Sequence, residues 1–219
     1  MRFLCLHGQG SNARIFQQQT AALRYELGDD HSYDFVNGAV PWKTDRDLDQ
    51  FAMGEEQTFA HCDPEEPESC LQALENLEQY IAAEGPYDGI MGFSQGTNVA
   101  LSWLLKLQQE VRPLPFKFGV FFSNPWAVYD YQELLGGRIV PLQHDAYVGL
   151  LDLPTTHIWG SADKDAKASE AITAACMEAK RSVWIHDKGH EIPVNTDTVI
   201  AMAKMINRAL VRASTAEGA

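Results

Sequence analysis

Residues 89–105 read GIMGFSQGTNVALSWLL, and within them Gly92-Phe93-Ser94-Gln95-Gly96 fits the spacing G-x-S-x-G. The apolar residues before the motif form a short buried-strand pattern, and residues 97–107 carry the apolar spacing of a helix. A serine at so tight a strand-to-helix turn is forced into a strained backbone conformation that lifts its hydroxyl above the sheet. Side chains two residues to either side would collide there, which accounts for the flanking glycines. The helix that follows aims its amino-terminal dipole at the same point and favours developing negative charge. The motif thus predicts a nucleophilic serine on an α/β fold.

The rest of the chain keeps the same rhythm. Strands are expected at 2–6, 33–36, 89–92, 118–123, 155–159 and 182–186, and helices at 13–27, 69–83, 95–109, 166–179 and 197–213. Ile90-Met91 and Val120-Phe121-Phe122 are continuously apolar, as in strands covered on both faces. The expectation is a mostly parallel central sheet flanked by helices on both faces, in one domain over residues 1–213. Segments 37–67 and 125–154 interrupt the alternation with prolines and aromatics and are read as lid or pocket loops. Residues 214–219 read as a flexible tail.

A serine hydroxyl attacks poorly until a base removes its proton, and that base needs an acid to orient it. In this class of fold the chain order is serine, acid, histidine. Asp163 follows the strand pattern in HIWGSAD, and His190 follows the next one in WIHDKGH. Asp165 competes with Asp163 but is read as the cap of the helix starting near Ala166. His186 is read as a strand-end residue, and His31, His61, His144 and His157 as incidental. No His, Asp or Cys spacing points to a metal ligand set.

A tetrahedral acyl intermediate also needs two backbone N–H donors. Gln95, next to the nucleophile, supplies one; the loop LHGQGSNA after the first strand supplies the other, from Gln9 or, in its place, Gly10. His7 is read as a structural residue holding that loop. The same loop, Gly8-x-Gly10-x-x-Ala13, fits a dinucleotide-binding turn. That reading requires an acid at the end of the second strand to hold a ribose, but the strand ends in Asn37-Gly38, with Asp34 near its start. Trp42, Trp126 and Tyr129, and behind them Phe51, Phe59 and Tyr131, are candidates to line an acyl pocket.

Composition narrows the field further. A net charge of −13 over 219 residues argues against nucleic-acid partners, which need a clustered basic surface. No stretch is long and apolar enough for a membrane span, and the apolar run before His7 is too short for a signal peptide. Cys5, Cys62, Cys70 and Cys176 are too few and too scattered for a disulfide scaffold, and Cys62 and Cys70 lack zinc-knuckle spacing. A reducing, cytoplasmic setting is expected.

Taken together, LHGQGSNARIF, GPYDGIMGFSQGTNVA, HIWGSADKD and DKGHEIP resemble the fungal family of serine hydrolases in the α/β-hydrolase superfamily. The likeness runs from Phe3 to about Arg208. Within that family, size and the Pro41-Trp42 loop resemble thioesterases that release polyketide chains in fungal biosynthetic clusters. The resemblance implies an α/β-hydrolase fold, ester or thioester hydrolysis without a cofactor, and Ser94, Asp163 and His190 as triad. It also implies a small-molecule or carrier-bound acyl substrate, with a polyketide synthase carrier domain as partner. A general short-chain carboxylesterase is the alternative activity.

Overall fold

The computed structural model describes residues 1–44 and 56–215, the side chains of 212–215 excepted. Strands β1 (Arg2–Leu6), β2 (Ser32–Val36), β5 (Gly89–Phe93), β6 (Phe118–Phe122), β7 (Thr155–Gly160) and β8 (Arg181–His186) form one sheet in the order β2-β1-β5-β6-β7-β8. Every pairing in it is parallel. A short antiparallel pair, β3 (Val40–Pro41) and β4 (Phe59–Ala60), lies outside it. The helices are α1 (Ala13–Gln19), α2 (Ala21–Leu27), α3 (Pro67–Glu84), α4 (Gln95–Gln109), α5 (Tyr131–Leu135), α6 (Ala166–Ile172) and α7 (Thr196–Thr215).

Period-two alternation divides the core between the two faces of the sheet. Leu4, Leu6, Ile90 and Phe121 pack with α3 and α4; Phe3, Cys5, Met91, Phe93, Phe118, Val120 and Phe122 pack with α1, α2 and α7. Both faces of the inner strands are therefore dry, which explains their continuous apolar runs. The strand order reverses direction between β1 and β5, and ligands on open α/β sheets bind beyond the carboxyl ends of the strands at such a switch point. His7 and Ser94 stand immediately after these two strands.

Three expected helix boundaries differ. Residues 13–27 are two helices broken at Thr20, whose hydroxyl donates to Phe16 O at 2.8 Å and whose backbone leaves the helical region at φ −95 and ψ 0. The helix expected at 166–179 ends at Ile172 and passes through a 3-10 turn, Thr173–Ala175. Cys176 is then drawn into a parallel bridge with Leu151. At the other end of the chain α7 runs on to Thr215, two residues into the segment expected to be a tail, while 216–219 lie outside the described residues. Of the loop read at 37–67, residues 45–55 also lie outside them, including Phe51.

His7 and His157 are buried at the carboxyl end of β1 and within β7, at 0% and 2% exposure. Desolvation, the dominant cause, lowers His7 from 6.5 to about 4 and His157 from 6.5 to about 3. The folded chain keeps both neutral, whereas the unfolded chain protonates them below about 6.5, so folding stability falls as pH drops through that value. Each histidine contributes a slope of up to about 1.4 kcal/mol per pH unit. Chemical denaturation should show stability level above pH 6.5 and declining from there to about pH 5, before most carboxylates titrate. Burial lowers His61 likewise, to about 3, so His157→Gln should reduce that slope by no more than about a third; a flat profile over the window would contradict neutral burial.

Candidate active site

Ser94 links β5 to α4 with φ 52 and ψ −120, a left-handed conformation that a side-chain-bearing residue adopts only under strain. Its surroundings impose it. A Cβ on Gly92 would stand 2.7 Å from Thr97 N and 2.8 Å from Thr97 Cα, and one on Gly96 would overlap the Leu6 carbonyl. Ser94 N donates to Phe122 O at 3.0 Å and Thr97 Oγ1 to the same carbonyl at 2.9 Å, tying the turn to the end of β6. The G-x-S-x-G spacing therefore corresponds to two close approaches, one within the turn and one against β1.

His190 bridges the serine and the acid. Its Nδ1–H donates to Asp163 Oδ2 at 2.8 Å, which leaves Nε2 to accept from the Ser94 hydroxyl, also at 2.8 Å. The Asp163 side chain is fully buried and its second oxygen accepts from Asp165 N at 2.9 Å; the His190 side chain is 25% exposed. The Phe93 ring packs against the imidazole, with centroids 5.2 Å apart. The loops that carry acid and base are bonded to each other, Ser161 N to His186 O at 2.7 Å and Ala162 N to Lys188 O at 3.1 Å. The three residues singled out in the sequence thus form one hydrogen-bonded series. His186 stays in β8, with Lys188 N donating to its Nδ1. Asp165 occupies the N-cap position of α6, but its side chain makes no capping bond.

The β1 loop lies over the serine. A Cβ on Gly8 would come within 3.2 Å of Ser94 Cβ and 3.0 Å of the Phe93 ring. His7 Nδ1–H donates to Gly8 O at 2.7 Å, and its Nε2 accepts from Gly38 N at 2.9 Å. Because C=O and N–H of one peptide point in opposite directions, holding Gly8 O turns Gln9 N–H the other way. Gly10 N–H is spent on Phe59 O at 2.9 Å, so of the two donors considered for this loop only Gln9 is without an acceptor among the described residues. Gln95 N–H has no acceptor among the described residues, as expected at the first position of a helix.

His61 is not incidental. Its Nε2–H donates to His7 O at 3.0 Å, its ring lies 4.6 Å from the His7 ring, and its backbone N–H donates to Gln95 Oε1 at 2.7 Å. Gln95 Nε2 in turn donates to Cys62 O at 2.8 Å, so the Gln95 side chain joins the segment after β4 to the first turn of α4. Sequence reading missed this because partners 31 to 54 positions apart leave no local spacing. Asn98 was missed likewise: its side-chain amide donates to the carbonyls of Trp126 and Ala127, both at 3.1 Å, and anchors the loop after β6.

Trp126 and Tyr129 line one cavity of about 400 Å³ together with Pro64, Glu65, Ile139 and Pro141. Tyr129 is otherwise a core residue, its hydroxyl 3.7 Å from Cys62 Sγ, which itself lies 3.6 Å from Cys70 Sγ. Trp42 does not share that cavity: half-buried, it extends the β3–β4 pair by donating N–H to Thr58 O. A second cavity, of about 340 Å³, is lined by Phe35, Asn37, His61, Asn76, Tyr80 and Val99 among others. Among the described residues one group could offer three metal-ligating atoms within 4.8 Å: Asp163, Asp165 and His190. Two of these are the hydrogen-bonded acid and histidine, so an ion there would break the bond that orients His190.

The sequence profile of the family described as "Serine hydrolase (FSH1)" matches residues 1–202. The chain belongs to this serine hydrolase family. It is 36% identical over 217 residues to "Esterase FPY3" of Fusarium mangiferae, covering 97% of this chain and 98% of that one. A "Probable esterase" of Aspergillus terreus is 30% identical over 225 residues, covering 94% of this chain and 87% of the other. Among solved structures, Arabidopsis thaliana SOBER1 superposes with a TM-score of 0.58 at 18% identity, covering 96% and 99% of the two chains. A carboxylesterase from Mesorhizobium loti does so with 0.60 at 15%, covering 93% and 86%. The fold is that of the α/β-hydrolases, and the family makes the protein an enzyme. Among the described residues no helix is long and apolar enough to cross a membrane.

Gly160, at the end of β7, gives a direct test of how the site is held. A Cβ there would overlap the carbonyls of Lys188 and Gly189, in the loop that carries His190. Gly160→Ala should cost about 1 to 3 kcal/mol of stability. It should also lower kcat in protein that is still fully folded, because the loop must move away from Asp163. Unchanged kcat alongside lowered stability would show that the loop relaxes without disturbing His190.

Proposed function

We propose that this serine hydrolase cleaves acyl esters or thioesters through an acyl-serine intermediate, with Ser94 as nucleophile, His190 as base and Asp163 as its orienting acid. The observation that carries the reading is the pair of hydrogen bonds in series, 2.8 Å from Ser94 Oγ to His190 Nε2 and 2.8 Å from His190 Nδ1 to Asp163 Oδ2. Nε2 takes the hydroxyl proton as Oγ attacks the acyl carbon, and Asp163 stabilises the imidazolium that forms. The oxyanion sits against the N–H groups of Gln9 and Gln95, each such donor being worth about a hundred- to a thousand-fold in rate. Collapse expels the alcohol or thiol, protonated by His190. Water, deprotonated by the same nitrogen, then attacks the acyl-serine, and the carboxylic acid leaves as Ser94 recovers its proton.

The acyl group is a polyketide-type chain released from a carrier domain in secondary metabolism. This rests on the resemblance to fungal polyketide thioesterases and on charge. A net charge of −13 repels the phosphates of free coenzyme A, and carrier-bound or neutral substrates avoid that repulsion. The cavity at Trp126 is of a size that takes such a chain and has largely apolar walls. All four cysteines are free and buried, which fits a reducing, cytoplasmic setting. The alternative, a short-chain carboxylesterase, is favoured by the two relatives above, which are named as an esterase and a probable esterase.

Ser94→Ala should lower kcat about a million-fold and Asp163→Asn about ten-thousand-fold. A fluorophosphonate should add one adduct to the wild-type mass and none to the Ser94→Ala protein. Retention of about a tenth of turnover without Ser94 would remove it from the mechanism. Carrier-bound thioesters should be hydrolysed with higher kcat/KM than matching coenzyme A thioesters or p-nitrophenyl esters; preference for the short p-nitrophenyl esters would establish the alternative.

A further inference from the structure

The two outer strands of the sheet are finished differently. On β2, Tyr33 and Phe35 are half-buried beneath the Arg24 guanidinium, 5.4 and 5.3 Å from their rings. On β8, Val183 and Ile185 are 39% and 52% exposed, although Trp184 between them packs with the α7 side of the core. An apolar, unpaired outer strand is what soluble proteins ordinarily avoid by charge, proline or cover.

The backbone of β8 shows what it offers. Thr155 N donates to Lys180 O at 3.0 Å and Ser161 N to His186 O at 2.7 Å, so the even-numbered peptide groups face β7. By strand alternation the N–H and C=O of Val183 and Ile185 face outward, and no other described backbone takes them; Arg181, at the start of the strand, already donates its N–H to Met177 O at 3.1 Å, and Asp187 follows the last strand residue. The side chains of Arg181, Val183 and Ile185 also share one face of the strand, and Asp187 comes directly after it. Arg181 and Asp187 form no ion pair with a described residue, and the Arg181 guanidinium donates to Thr173 O at 2.8 Å.

We propose that β8 pairs antiparallel with β8 of a second copy of this chain about a twofold axis at Trp184, joining two sheets into one. Antiparallel pairing needs outward groups opposite outward groups, and registers centred at 183, 184 and 185 all meet that condition. Only the register centred at Trp184 sets Val183 against the partner's Ile185 and Arg181 against the partner's Asp187. Its neighbours set Arg181 against the partner's Ile185, or Val183 against the partner's Asp187, each an apolar group against a charge. The twofold operation makes every contact twice and consumes both exposed strands, so assembly stops at two chains. The pairing reaches to within three residues of His190 in sequence and would brace its loop.

Sedimentation equilibrium at micromolar concentration should give twice the 24.4 kDa chain mass for the wild type. Ile185→Lys and Asp187→Arg, both at exposed positions, should sediment as single chains with unchanged circular dichroism. The double variant Arg181→Asp with Asp187→Arg restores opposite charges across the axis and should return to the dimer. A monomeric wild type, or a dimer indifferent to both single variants, overturns the proposal. Failure of the charge exchange to restore a dimer lost in Asp187→Arg overturns it as well, because the register is what the exchange tests.

Discussion

The backbone of Ser94 is held at φ 52 by contacts on both sides of it, and the geometry of the whole site follows from that constraint. Strain of this kind costs roughly 1 to 3 kcal/mol and persists only where neighbours over-determine it. Here Gly92 admits the first turn of α4, Gly96 admits the end of β1, and the Phe122 carbonyl takes both Ser94 N–H and the Thr97 hydroxyl. The same turn leaves Gln95 N–H without an acceptor among the described residues. One backbone kink therefore presents the hydroxyl and a donor for the charge its attack would create.

Around that kink the parallel sheet acts as a register. Strands β1, β5, β7 and β8 all end at the same edge, and the loops beyond them carry Gln9, Ser94, Asp163 and His190 in turn. Two bonded networks keep these loops from drifting. Gly160 lets the loop of β8 sit directly on the end of β7, which brings His190 back to Asp163. On the other side, His7, His61, Gln95 and Gly38 link the loops after β1 and β2 and the segment after β4 to the start of α4. That second network requires an uncharged His7, because its Nε2 must accept, and burial supplies the condition.

The sheet and its flanking helices were legible wherever a strand or helix was long and its neighbours apolar. Expected and observed bounds agree within about two residues for β1, β5, β6, β7, α3 and α4. They parted where a side chain competes with the helix, as at Thr20, or where a distant segment pulls the chain out, as Leu151 does at Cys176. The pairing of β3 with β4 escaped notice because two residues carry no period, and α5 because five carry little more.

For the site, the sequence alone determined which residues meet: a serine between two glycines, then an acid and a histidine beyond two late strands, in an order that parallel topology brings to one edge. Chemistry restricts those residue types and spacings so narrowly that they survive as local signals. Only the tertiary structure decided that Gly10 N–H is spent on Phe59 O while Gln9 N–H meets no acceptor among the described residues, that His61 supports the site, and that Tyr129 is largely core while Trp42 stands apart from the cavity at Trp126. Those outcomes depend on where a distant partner, such as Phe59 O or His7 O, comes to lie. Such placement is set by the packing of the entire chain and is written into no short stretch of it.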